Sequence, residues 1–204
     1  MGPEDSLLIL ASGSPRRREL LESIGLEFEI RTSDVPEELG TDESPVEYVE
    51  RLAREKAFAI ASGVPHAWVI AADTVVYLDR EVLEKPADRN HAIEMLGRLA
   101  GRTHTVYSGV TLMNHRNGHE RTESIRTNVT IAPLDRDTIE WYVDTGEPMD
   151  KAGAYAIQGL GAMFVETVEG NYTNVVGLPI PTLFRMMSRA GISPIGSGSG
   201  RSRG

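Results

Sequence analysis

The chain contains no cysteine. That excludes disulfides, thiolate metal sites and a cysteine nucleophile, and it fits a reducing compartment. Aromatic residues make up only 6%, which leaves few platforms for stacking single-stranded nucleic acid. No apolar run approaches the roughly 18 residues that a membrane helix needs. The opening Met1-Gly2-Pro3-Glu4-Asp5-Ser6 lacks the apolar core of a signal peptide. These absences lead us to expect a cytoplasmic protein. Acidic residues outnumber basic ones by 30 to 21, for a net charge of −9. Such a balance opposes a general nucleic-acid or anionic-membrane surface, so a basic cluster here reads as a local pocket. With 204 residues, 40% of them hydrophobic, the chain can bury one core or fold into two lobes.

Lysine is the sharpest shortage. Of the 21 basic residues only Lys56, Lys85 and Lys151 are lysine, and 18 are arginine. A lysine kept in such a chain marks a place where a compact ammonium fits and a planar guanidinium would overfill, as in a crowded phosphate or metal site. Chance survival is the competing explanation.

Residues 6–21, SLLILASGSPRRRELL, organise the rest. An apolar run at 7–11 reads as a buried strand. It stops at Ser12-Gly13-Ser14. Ser14 is placed to cap a helix that Pro15 opens, and Leu20, Leu21 and Ile24 give it an apolar face. Arg16, Arg17 and Arg18 then sit at the positive end of the helix dipole, where cations are unfavourable unless an anion offsets them. The spacing therefore points to phosphate. The plainer alternative is a solvated basic helix start beside Glu19 and Glu22. No G-x-x-x-x-G-K-[ST] loop is present.

Further on, 26–31 reads as a short strand and 33–38 as an acidic loop. Ser44-Pro45-Val46-Glu47 is a capping box that opens a helix to about residue 62, with Gly63 as its C′ residue. Lys56 lies beside that helix's apolar face. Residues 68–77 form a strand apolar on both faces, as a central strand is, interrupted by Asp73-Thr74. A hairpin return at 80–86, a helix at 88–100 and two alternating strands, 103–114 and 121–132, follow. A helix at 138–144, a Gly/Ala-rich segment at 146–161, a strand at 162–168, a loop at 171–178 and a closing helix at 179–189 complete the order. Residues 195–204 read as a flexible Gly/Ser/Arg tail. Parallel-type βα units beside an antiparallel pair predict an α/β fold with a mixed sheet.

Asp73 is the best single candidate for chemistry, since an acid in a core strand is costly without a partner. A dehalogenase-type nucleophile needs D-x-D, and Val75 breaks that pattern. Glu37 or Glu38 could add a second carboxylate, enough with Asp73 to hold Mg²⁺ together with phosphate oxygens and water. Arg16, Arg17, Lys56 and Lys85 would surround that acidic spot. The combination suits a triphosphate, because positioning and charge neutralisation are most of what phosphoryl chemistry asks. Lys151 reads as a local ion-pair partner. Gln158 could read a base edge or anchor its loop. The five histidines show no metal spacing, and Gly159-Leu160-Gly161 is only half a dinucleotide fingerprint.

Six motifs in order resemble one family: Ala11-Ser12-Gly13-Ser14-Pro15-Arg16-Arg17, Ala72-Asp73-Thr74, Glu84-Lys85-Pro86, Asp150-Lys151-Ala152-Gly153-Ala154-Tyr155, Ile157-Gln158-Gly159 and Val176-Gly177-Leu178-Pro179. They are similar to the Maf (septum-formation-inhibitor-like) nucleotide pyrophosphatases, over residues 6–190. The resemblance implies a single domain of the inosine-triphosphatase type: two lobes of a mixed-sheet α/β structure around a central cleft, in a family whose members are often homodimers. It implies Mg²⁺- or Mn²⁺-dependent hydrolysis of a nucleoside triphosphate to monophosphate and pyrophosphate, as nucleotide-pool house-cleaning. By that likeness Asp73 is proton acceptor and metal-site residue, with Glu37 beside it. Arg16, Thr74 and Gln158 govern substrate choice, and Ser12, Arg17, Lys56 and Lys85 complete the substrate site. The Asp150-Lys151-Ala152-Gly153-Ala154-Tyr155 and Ile157-Gln158-Gly159 motifs resemble the subgroup acting on dTTP and UTP rather than on 7-methyl-GTP. Ala71-Ala72 stands where Gly-Ala is common. A nucleotide-binding regulator of cell division without turnover is the competing class.

Overall fold

The structure, a computed structural model, describes residues 7–193. The Met1–Ser6 segment and the 195–204 tail discussed above lie outside the described residues. The elements in order are β1 (Leu8–Leu10), α1 (Pro15–Ser23), β2 (Glu29–Ile30), α2 (Pro45–Ala61), β3 (Trp68–Leu78), β4 (Glu81–Leu83), α3 (Arg89–Leu99), β5 (Thr103–Asn114), β6 (His119–Ile131), α4 (Arg136–Asp144), β7 (Val165–Glu169), α5 (Tyr172–Val176) and α6 (Ile180–Arg189). Short 3₁₀ turns fill residues 147–164.

All seven strands join one mixed sheet, in the order β2-β1-β3-β5-β6-β7. β1 runs parallel to β2 and β3, and the remaining pairs are antiparallel. β3 is the axis of the molecule. One of its edges is covered along its length by β5, in register from Val69↔Met113 to Tyr77↔Thr105. The other edge is shared. β1 pairs with Leu8↔Trp68 to Leu10↔Ile70, and β4 with Val76↔Leu83 to Leu78↔Glu81. Between them β3 has no strand neighbour on that side among the described residues, and Asp73 and Thr74 lie in the interval.

The apolar packing divides at the same place. Ile70 and Ala72 pack with Leu8, Leu10 and the α6 residues Leu183, Met186 and Met187. Val69 and Ala71 pack on the opposite face against Ala57 and Ala61 of α2. Beyond the interval, Val76 and Leu78 join a separate cluster with α3, α4 and the 3₁₀ region. Val75 lies under Tyr48, Val49 and Leu52 at the start of α2.

Most local signals operate as the sequence suggests. Ser44 and Glu47 make a reciprocal capping box at α2. Asp88 and Asp135 each cap their helices through side-chain bonds to His91 and Thr138 N–H. Some expectations need correcting. Ser14 stands at the α1 N-cap, but its side chain caps nothing. Ile24 is 41% exposed, so the apolar face of α1 narrows to Leu21 and a half-buried Leu20. Gly63 is not left-handed, and Ser62 closes α2 in ordinary helical geometry. The strand expected at 26–31 is two residues long, because only Glu29 and Ile30 come into register with β1, while Leu26 and Phe28 pack on the core. The strand expected at 162–168 begins at Val165, after a 3₁₀ turn. Residues 171–178 hold a short helix, α5, where Asn171 accepts the N–H of Asn174.

α2 packs across β3 and β5, and one glycine allows its close approach. Gly109 stands opposite Asp73 in the β5 register. A Cβ there would lie 2.2 Å from the carbonyl oxygen of Val49 on α2. A glycine within a strand often marks such a backbone approach. Lys56 lies two turns beyond Val49, on the same helical face, and so arrives over Asp73.

His104 on β5 is 2% exposed, with Nε2 2.8 Å from the Tyr155 hydroxyl and Nδ1 without a hydrogen-bond partner among the described residues. Burial pushes its imidazole down to about 4. Between the ordinary value near 6.5 and about 4 the unfolded chain binds a proton that the folded chain does not, so stability falls as pH drops through that window. We expect this one group to remove about 3 kcal/mol by pH 4. Unfolding free energies of wild type and His104→Gln at pH 7 and pH 4.5 should differ in slope accordingly. Equal slopes would show that His104 does not contribute.

Candidate active site

The interval in the β3 edge opens into a cleft of about 540 Å³, lined by the turn 11–17, by Glu37, Tyr48, Lys56, Asp73, Thr74, Glu84 and Lys85, and by residues 150–152 and 155–158. That volume is in the range of small-molecule sites. Its position follows from strand geometry. Successive side chains of β3 point to opposite faces. Because the edge is open here, residues from both faces reach the same cleft.

Asp73 projects toward α2. Its Oδ1 accepts a 2.7 Å hydrogen bond from Lys56 Nζ, which also donates to Glu37 Oε1 at 2.5 Å. The Lys56 and Asp73 side chains are 9% and 10% exposed. Lys85 Nζ lies 3.8 Å from the other Glu37 oxygen and is largely in solvent. Burial pushes the Glu37 carboxyl up, but the Lys56 hydrogen bond and the charges of Lys56, Lys85 and Arg17 outweigh it and hold the group below its usual value. Tyr48 donates to Glu84 Oε1 at 3.0 Å, and burial followed by that bond pushes its phenol well up.

Thr74 projects to the other face. Its hydroxyl is 2.7 Å from Ser108 Oγ and accepts from Arg17 Nη2 at 3.3 Å. Arg17 also donates through Nε to Gly177 O at 2.8 Å and through Nη1 to Ser12 Oγ at 3.1 Å. Burial lowers the Arg17 pKa, with Asp73 acting in the opposite direction. Arg16 reaches Asp150 at 3.4 Å, and Arg18 pairs with Glu22 in solvent. Lys151 bonds to Asp150 Oδ1 at 2.5 Å and to Glu147 O at 2.6 Å, the local pairing expected of it. The Gln158 carboxamide has no protein partner among the described residues, so it does not anchor its own loop.

The structure thus gathers Ser12, Arg16, Arg17, Glu37, Lys56, Asp73, Thr74, Lys85 and Gln158 around one cleft. Glu38 is left out. It is exposed, and its carbonyl accepts from Arg51. Two neighbours, Tyr48 and Ser108, had not been singled out, and Glu84 and Asp150 had figured only inside motifs. Ser108 carries no sequence signal, being one small polar residue in a strand. Gly109 beside it does carry one, as an isolated glycine in an alternating run.

Among the described residues no group of three His, Asp or Glu forms a ready-made metal cage. The donor set nevertheless fits a hard divalent cation that takes one or two carboxylates and completes its shell with phosphate oxygens and water. Asp73 and Glu37 face one cleft, and Asp73 Oδ2 accepts no hydrogen bond among the described residues.

Fold and cleft together describe an α/β protein equipped for a polyanion, with paired carboxylates on one wall and guanidinium groups on the other. The chain belongs to the Maf-like protein family, which matches residues 7–190. A Myxococcus xanthus (strain DK1622) relative named dTTP/UTP pyrophosphatase is 50% identical over 192 residues, 94% of this chain and 96% of that one. One from Symbiobacterium thermophilum with the same name is 49% identical, over 95% of this chain and 98% of its own. Among solved structures, the Staphylococcus aureus Ham1 protein is similar at a TM-score of 0.47 and 16% identity, over 78% of this chain and 79% of that one. That likeness is too low to bear on function.

The buried pair yields a stability prediction. Lys56→Met leaves Asp73 without its ammonium and should cost about 3 kcal/mol, the usual scale for breaking a buried pair. Asp73→Asn should cost less, since Glu37 still partners Lys56, and Lys56→Met/Asp73→Asn should recover most of the loss. Urea unfolding of the three variants checks this. A Lys56→Met protein as stable as wild type would remove the pair from its structural role.

Proposed function

We propose that this chain is a nucleoside triphosphate pyrophosphatase that hydrolyses dTTP and UTP to the monophosphate and pyrophosphate. The observation that carries the reading is the Lys56-bridged Asp73 and Glu37 pair, with Lys85 beside Glu37, sharing one cleft with Arg16 and Arg17. The relatives' names give the same activity.

In this reading water attacks the α-phosphorus in line, a P–O bond forms, and the α–β phosphoanhydride breaks to release pyrophosphate. The Asp73 carboxylate receives the proton of the attacking water, and Lys56 holds that carboxylate in orientation through Oδ1. Arg16, Lys56 and Lys85 place the phosphates. The first-turn N–H groups of α1, which have no side-chain cap, add donors at the positive end of the helix. Arg17 keeps Ser12 and Thr74 in place. Asp73 and Glu37 are the residues that would hold Mg²⁺ or Mn²⁺, which when bound supplies charge neutralisation for the phosphates. Gln158, unpartnered in the free protein, reads the base.

No helix among the described residues is long and apolar enough to cross a membrane. We take the protein to act in the cytoplasm on free nucleotides, without nucleic acid or membrane as partner, and to assemble as a homodimer. Binding without turnover would not need Asp73 kept in the costly buried setting described above.

Pyrophosphate release from dTTP, UTP, CTP, ATP and 7-methyl-GTP, with and without Mg²⁺ or Mn²⁺, is the direct test. We expect metal-dependent release led by dTTP and UTP. Asp73→Asn should keep its fold by circular dichroism and lose at least about a hundredfold in kcat, the scale of a general base. A folded wild type that releases no pyrophosphate from any of the five would return the protein to a binding role.

A further inference from the structure

The segment that carries Gln158 is gripped from both sides by two side chains that the cleft chemistry does not use. Tyr142 on α4 is fully buried. Its hydroxyl accepts the Ala156 N–H at 3.1 Å and donates to Glu147 Oε1 at 2.9 Å. Glu147 Oε1 also accepts the Gly161 N–H at 2.9 Å, and its Oε2 accepts the Leu160 N–H at 3.0 Å. The bonded backbone groups therefore lie two residues before Gln158 and two and three residues after it.

The packing around these bonds leaves no slack. Gly159 is left-handed, and a Cβ on it would stand 2.4 Å from Glu147 Oε2. A Cβ on Gly161 would stand 2.4 Å from Ala156 O and 2.6 Å from the Tyr142 hydroxyl. Burial pushes the Glu147 carboxyl up, but the Gly161 and Leu160 N–H groups, Tyr142 and Lys151 hold it below its usual value. It stays ionised at neutral pH, and its hydrogen bonds are charge-assisted. The part-buried Gln158 carboxamide makes no hydrogen bond among the described residues, so the backbone that carries it is what fixes where its side chain starts.

We propose that Glu147, braced by Tyr142, is a positioning residue for base selection: it fixes the 156–161 backbone and so aims the Gln158 carboxamide at the edge of the nucleotide base. The proposal rests on the reading of Gln158 given above. A carboxamide discriminates between bases only when donor and acceptor are held to about 0.5 Å. Loosening the segment therefore erodes discrimination. It leaves phosphate chemistry in place, because Asp73, Lys56 and Lys85 stand on β3, α2 and the loop after β4.

The test uses the full chain with Mg²⁺ and reads kcat/KM for UTP against that for ATP. The variants are Glu147→Gln, which sets an amide NH₂ against a backbone N–H, and Tyr142→Phe, which keeps the ring and removes the hydroxyl. Gln158→Ala and Glu147→Gln/Gln158→Ala complete a cycle. We expect each of the first two to lower the UTP-over-ATP ratio about tenfold, through KM for UTP, with kcat for UTP changed less than about threefold. In the Gln158→Ala background, Glu147→Gln should change the ratio by less than about twofold. If Glu147→Gln does not fold, Tyr142→Phe carries the same prediction. Equal losses for UTP and ATP, or the same tenfold loss without Gln158, would overturn the proposal. A wild type without base preference, or Gln158→Ala with an unchanged ratio, would overturn it through the reading of Gln158 beneath it, and the single Gln158 variant tells the two failures apart.

Discussion

A carboxylate in the middle of a core strand is tolerable only if something next to it carries the opposite charge. Asp73 has Lys56 at 2.7 Å, and both side chains are about nine-tenths buried. Desolvating two ions costs several kcal/mol each, and their attraction offsets that only when the geometry is good and further bonds complete it. Glu37 supplies one such bond to the ammonium. Much of the surrounding architecture serves this contact. α2 must lie close to the sheet, which Gly109 allows. The 33–38 loop must return over β3, where Val35 packs against the Tyr48–Val75 cluster, bringing Glu37 to Lys56. The result is a charged cluster held at the cleft wall before any ligand arrives.

The second constraint is the open edge of β3. A parallel partner covers one end of that edge and an antiparallel partner the other, and the gap between them falls at Asp73-Thr74. Strand alternation then sends the two residues to different neighbourhoods. Asp73 meets the ammonium and carboxylate groups under α2. Thr74 meets the hydroxyl and guanidinium network of Ser108 and Arg17. One dipeptide thereby contributes to both walls of the cleft. The same division separates the apolar clusters on either side, so they meet where the cleft opens.

Arg16 and Arg17, adjacent on α1, show how a shared motif divides in three dimensions. Arg17 spends its donors on Ser12, Thr74 and Gly177. Arg16 is half-buried and, among the described residues, bonds only to the exposed Asp150. A planar guanidinium with several fixed donors suits the first task. The second is a weak surface pair, which holds its cation only loosely.

Sequence by itself determined the mixed α/β class, most element boundaries and most members of the cleft. Capping boxes, a Pro at the first helical position and period-two runs are local signals, each set by backbone geometry within a few residues. Asp73 stood out because an acid contradicts its apolar surroundings, and Lys56 and Lys85 because lysine is rare here. What sequence could not supply was distance between remote segments. That Lys56 reaches Asp73, that Glu37 faces the cleft while Glu38 faces solvent, and that α5 forms where a loop was expected depend on packing between remote parts of the chain. The grip of Glu147 on the Gln158 segment is of the same kind. Its acceptors and donors are separated by 13 or 14 residues of irregular chain, and only the tertiary fold sets the angle at which they meet.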